Sequence, residues 1–181
     1  MEMQEKILEL LPEIDDIEDN GLRERVLASW VAAARRGGWQ PEDLPRIPSR
    51  LDSTGPVDSL FNHVRAVAHI SLAICGALED FFGQRVQIDR HKVLCAALLH
   101  DLGKLLEYNR DRQGKISRSS TSQLFLHPIS GAILAGGLGI PEDILHVIVS
   151  HSPDVNIPMA NIEGVIVQHA NAINRDIANL R

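Results

Sequence analysis

The stretch "AALLHDLGKLL", residues 96–106, constrains the chain more than any other. Its leucines and alanines call for burial, yet His100, Asp101 and Lys104 stand among them. Burying an imidazole beside a carboxylate costs free energy unless a partner compensates both. Any fold for this chain must therefore supply that partner at residues 100 and 101.

The 181 residues, 44% of them hydrophobic, suffice for one globular domain with its own core. A net charge of −6 without a long basic run argues against gripping long nucleic acids by bulk electrostatics. The two cysteines, Cys75 and Cys95, lie in apolar helical patterns and read as small core residues, which fits a reducing compartment. The N-terminus is acidic, and no apolar run approaches the roughly 18 residues that span a bilayer, so a soluble, cytoplasmic protein without a membrane partner is expected.

Helical periodicity predominates, and the expected class is all-α. Helices are predicted over 3–11 and 22–36, forming an N-terminal hairpin within residues 1–38. Leu22, Val26, Trp30 and Ala34 recur every four residues, and Arg35 and Arg36 precede Gly37 as at a helix end. The segment "GGWQPEDLPRIPSRLDSTGPVDS" breaks every period, so residues 39–57 read as a connecting loop. Beyond it, within residues 58–181, helical signals cover Val57–Phe82, Arg90–Leu106, Thr121–Gly136, Pro141–Ser150 and Ile162–Leu180. Between two of them, "EYNRDRQGKIS" suggests a small hairpin or an ordered loop.

The eight histidines sort by helix face. His91 stands at a charged helix start and is expected to be exposed. His146 falls about 140° around its helix from His151 and is set aside. His69 and His169 are expected to pack in the core, His169 on the stripe of Ile162, Ile166 and Ile173. His63, His100, His127 and His151 differ, because each has apolar neighbours that must face inward on its own helix. Imidazole nitrogens and carboxylate oxygens are preferred ligands of zinc, iron, manganese and nickel. Helices converging on an interior point are how bundles assemble such sites. Asp101 is the natural bridge, with one oxygen for each of two ions.

A histidine on one helix, His-Asp followed by Leu-Gly-Lys, then "HPISGAILA", "VIVSHSP" and a polar site on a last helix closely resemble the HD-domain superfamily of metal-dependent phosphohydrolases. The likeness runs from about Asp58 to Asn174. It implies an HD-domain helical bundle, and the two extra histidines imply the branch that binds two divalent ions, drawn from iron, manganese, zinc, nickel or magnesium. Carried over, the first ion takes His63, His100, Asp101 and Asn171; the second takes Asp101, His127 and His151. The family ends its pattern with an aspartate, where this chain has Ala170-Asn171. An amide oxygen still coordinates but lacks the charge that a dication favours, so weaker binding at the first site is expected.

Such a pair of ions implies hydrolysis of a phosphomonoester or phosphodiester of a nucleotide or other small metabolite, with His100 and Asp101 at the reacting centre. In similar proteins the lysine corresponding to Lys104 contacts substrate; the ordinary alternative is a solvated lysine at a helix C-terminus. Arg118 is a second candidate substrate contact, while Thr121 and Ser122 read as helix caps. Residues 136–143 read as a helix stop and restart rather than a phosphate loop. Two alternatives use the same ligands: a di-iron oxygenase, or a ligand-binding domain weakened by Asn171. The tandem GYP signature of cyclic-di-GMP phosphodiesterases is missing after "HDLGK". A small phosphorylated substrate is the expected partner, and a homodimer is open, with the N-terminal hairpin either covering the core or contacting a second copy.

Overall fold

A break in the helix carrying His100 organises the fold. The computed structural model describes residues 2–51 and 58–180. Where the apolar period predicts one helix over 90–106, α4 (Arg90–Leu99) stops at His100, and the chain turns through Gly103 before the short α5 (Lys104–Glu107). Leucines on both sides of the break remain buried, so hydrophobic spacing alone conceals it. Glycine at 103 answers a close approach: a Cβ there would stand 1.9 Å from the carbonyl oxygen of His127, the first residue of α6 (His127–Gly137).

The N-terminal segment satisfies the polar groups that this break frees. In α2 (Asn20–Arg36), Trp30 donates its indole N–H to the Leu98 carbonyl at 3.1 Å, and Trp39, just beyond the helix, donates to the Leu105 carbonyl at 2.8 Å. Trp30 also packs on Phe61, with ring centroids 5.2 Å apart. The preceding α1 (Met3–Leu10) completes the hairpin, which covers the core: one hydrophobic cluster runs from Ile7 to Ala170. A 3-10 turn at Pro12–Asp16 adds Glu13, whose buried carboxylate accepts from Arg65 Nε at 2.7 Å and lies 2.9 Å from His69 Nε2.

The long α3 (Leu60–Phe82) packs against α4 and against α8 (Ile162–Asn179), while α6 pairs with α7 (Glu142–Ser150). Ser59, Asp89 and Asn161 cap α3, α4 and α8 through their side chains. Between α5 and α6, β1 (Tyr108–Arg110) and β2 (Ile116–Arg118) form the antiparallel hairpin, with Tyr108 opposite Arg118 and the turn at Gly114 (φ +85°). Helix content with, among the described residues, this one small sheet makes the protein all-α.

Several expectations need correction. The helix predicted from Thr121 starts only at His127, after a 3-10 turn at Ser120–Gln123; Leu124, Phe125 and Leu126 between them are exposed. Ser122 accordingly caps no long helix, and its hydroxyl donates to the Ser119 carbonyl. His69 and His169 are exposed, not core: the buried face of α8 is Gly164, Ile166, Val167 and Ala170, which leaves Ile173 outside. Val57 and the rest of residues 52–57 in the predicted loop lie outside the described residues. Against the expectation of no membrane-length run, Leu60–Arg85 is long and apolar enough by length and composition, with mean hydropathy 1.4. Part of that apolar surface serves the interior, since eight α3 residues from Leu60 to Cys75 are buried, His63 among them.

Candidate metal centre

Three of the four inward histidines occupy helix ends. His100 and His151 are the C-terminal cap residues of α4 and α7, and each turns its ring back so that Nδ1 lies 2.7 Å from the carbonyl three residues earlier, Ala97 O and Ile148 O. The last carbonyls of a helix lack intrahelical partners, and an imidazole N–H supplies one. His63, within α3, sets Nδ1 2.6 Å from Asn174 Oδ1 on α8. His127 opens α6, with Nδ1 2.9 Å from Glu107 Oε2. All four rings thus face Nδ1 to an oxygen and turn Nε2 inward, the orientation that an acceptor behind the ring gives metal-ligating histidines.

Asp101, 2% exposed, lies where those Nε2 atoms meet. Its Oδ2 is 3.1 Å from His63 Nε2 and 3.4 Å from His100 Nε2; its Oδ1 is 3.1 Å from His127 Nε2 and 3.6 Å from His151 Nε2. Two ligand triads share this one carboxylate: His63, His100 and Asp101, and Asp101, His127 and His151. His63 and His100 bring their Nε2 atoms within 3.2 Å of each other, and when each Nδ1 carries the proton toward the oxygen it faces, both Nε2 atoms present lone pairs that a cation can bind. Asp101 Oδ2 also has no aligned hydrogen bond, although Lys104 Nζ is 2.7 Å away. A buried carboxylate ringed by four imidazole nitrogens is a donor set that fits a divalent ion.

The electrostatics divide the rings: in the metal-free arrangement they favour neutral imidazoles at His100 and His151 and the protonated form at His127, whose proton an arriving cation must displace. Burial pushes the Asp101 carboxyl up, but the Lys104 charge and then His100 and His127 outweigh it and hold it well below its usual range. Burial lowers His100 and pushes His151 down to about 4, keeping both rings neutral and able to ligate. Burial also acts to lower His127, yet its Asp101 and Glu107 partners prevail and raise it.

The structure brings His63, His100, Asp101, Lys104, Arg118, His127, His151 and Asn171 to one place: except for His100, which is wholly buried beneath it, each lines a cavity of about 430 Å³. Lys104 is not the solvated lysine of the ordinary alternative; it is buried and donates to the Ser49 carbonyl at 2.6 Å. Arg118 is ion-paired with Glu107. His91 is exposed beside Glu18, and His146 accepts from the Ala160 amide, both outside the cluster. Sequence reasoning missed Glu107 and Asn174. Asn174 follows Asn171 by one turn, a spacing that could have flagged it; Glu107 opens a polar run that reads as solvated.

The family model for the HD domain matches residues 60–176, which contain every candidate ligand. The chain belongs to the HD domain family. Among curated relatives, this HD domain is similar to "Ribonuclease Y" of Acidothermus cellulolyticus, 26% identical over 167 residues, covering 92% of the chain and 29% of that protein. It is also similar to "Dihydroneopterin 2',3'-cyclic phosphate phosphodiesterase" of Methanocaldococcus jannaschii, 28% identical over 119 residues, covering 65% of the chain and 47% of that protein. The chain thus spans less than half the length of either relative. No solved structure matches it.

Proposed function

We propose that this HD domain is a metal-dependent phosphohydrolase that cleaves a phosphomonoester or phosphodiester of a nucleotide or another small metabolite. The observation that carries the reading is the pair of triads sharing Asp101, with four Nε2 atoms turned onto it at the cavity floor. Two divalent ions held there would supply an activated water and neutralise charge developing on a phosphoryl oxygen. His63, His100 and Asp101, with the Asn171 amide, would hold one ion, and Asp101, His127 and His151 the other. Lys104 commits one N–H to Ser49 and directs charge at Asp101, which leaves a donor for a substrate oxygen. Arg118 lines the same cavity and adds a planar donor group suited to phosphate.

The cavity volume falls in the range of small-ligand pockets and supports a compact substrate over a long nucleic acid. The relative named as a cyclic phosphate phosphodiesterase agrees with phosphoester chemistry; the relative named as a ribonuclease makes an oligoribonucleotide a necessary comparison. The test is a panel of nucleotides, cyclic nucleotides and a short RNA, each with manganese, zinc, nickel, magnesium or iron. It is run on the chain as it stands, on Asn171→Asp and on Asp101→Asn. Expected is metal-dependent hydrolysis of a small phosphoester that Asp101→Asn abolishes. No hydrolysis in the first two chains, or oxygen consumption with iron, would overturn the proposal.

A further inference from the structure

Glu107 ends α5 one turn beyond Lys104, 5% exposed, and contacts two groups of the site at once. Its Oε2 lies 2.9 Å from Nδ1 of His127, without the alignment of a full hydrogen bond, and its Oε1 is ion-paired with Arg118. His127 needs an external partner for a geometric reason. His100 and His151 stand at helix C-termini and turn Nδ1 to the carbonyl three residues back. His127 stands at a helix N-terminus, with no helical turn behind it to offer a carbonyl. The close approach of α6 to Gly103 carries His127 to the end of α5, where Glu107 presents an oxygen. His127 alone of the four rings is thus anchored by a carboxylate, while the others use amide or peptide oxygens. A charged acceptor at Nδ1 strengthens Nε2 as a ligand, and outer carboxylates of this kind typically alter metal affinity by 10–100-fold.

We propose that Glu107 is the positioning residue of the second ion site: it holds the His127 ring with Nε2 toward Asp101 and keeps Arg118 on the same cavity wall. This rests on the two-ion reading above. The test is calorimetric titration of the metal-free chain with Mn²⁺, paired with the visible spectrum of the Co²⁺-loaded chain, for wild type, Glu107→Gln, His127→Ala and the double variant. Expected are two ions in wild type and, in Glu107→Gln, an unchanged first ion with the second weakened by roughly 10–100-fold and an altered Co²⁺ spectrum. In the His127→Ala background the Glu107 change should add nothing, since it acts through that ring. Wild-type affinity and spectrum in Glu107→Gln, or additive losses in the double variant, would overturn the inference alone. A single ion in wild type would overturn both it and the two-ion reading. Thermal unfolding of the metal-free variants reports folding. Should Glu107→Gln fail to fold, Glu107→Asp decides: its shorter side chain should bind the second ion more weakly than wild type, and equal affinity would overturn the proposal.

Discussion

At the scale of single residues, Asp101 is ion-paired with Lys104, and Asn171, which lines the same cavity, stands where the resemblance implies an aspartate. A carboxylate about 4 Å from a positive charge gains about 4 kcal/mol per unit charge at an effective dielectric near 20. Asn171→Asp should therefore raise affinity for the first ion by at least about tenfold, and elemental analysis after gel filtration should find more metal in the variant. Equal metal content would show that position 171 does not face the ion. The clustering of His63, His100, His127 and His151 around Asp101 was legible in the sequence because histidines and an acid among apolar neighbours contradict their own burial preference. Glu107 was not, since residue type alone cannot reveal that a glutamate in a polar run is buried against His127.

At the scale of elements, the broken helix matters most. The turn from His100 to Gly103 directs His100 and Asp101 into the site and creates the seat for α6. A methyl group at Gly103 would meet the backbone oxygen of His127, which cannot rotate aside. Gly103→Ala should cost at least about 1–3 kcal/mol, and it should reduce metal content because α6 moves with His127. A thermal melt and a metal assay check both, and an unchanged melt would contradict the close approach. Helices α2, α3, α7 and α8 were legible from periodicity and end signals. The break at His100 was not, because buried leucines continue across it, nor was the late start of α6, whose preceding apolar residues Leu124, Phe125 and Leu126 face solvent.

At the scale of the molecule, the N-terminal segment is tied to α3, α4 and α5 by Glu13, Trp30 and Trp39, contacts 52 to 68 residues apart in sequence that no local pattern encodes. Burial pushes Glu13 up, but its bonds to Arg65 and His69 prevail and lower it from 4.5. A depressed carboxyl stabilises the fold fully above its unfolded value, and that contribution is lost as pH falls below it. Glu13→Gln should thus lower stability by about 1–3 kcal/mol at pH 7, and the gap in melting temperature from wild type should close as pH falls below 4.5. A gap independent of pH would contradict this reading. The most direct test of the whole is anomalous diffraction from crystals of the wild-type chain grown with Mn²⁺. We expect two peaks flanking Asp101, one among His63, His100 and Asp101 and the other among Asp101, His127 and His151. Manganese bound only elsewhere, with the four rings turned away from Asp101, would contradict it.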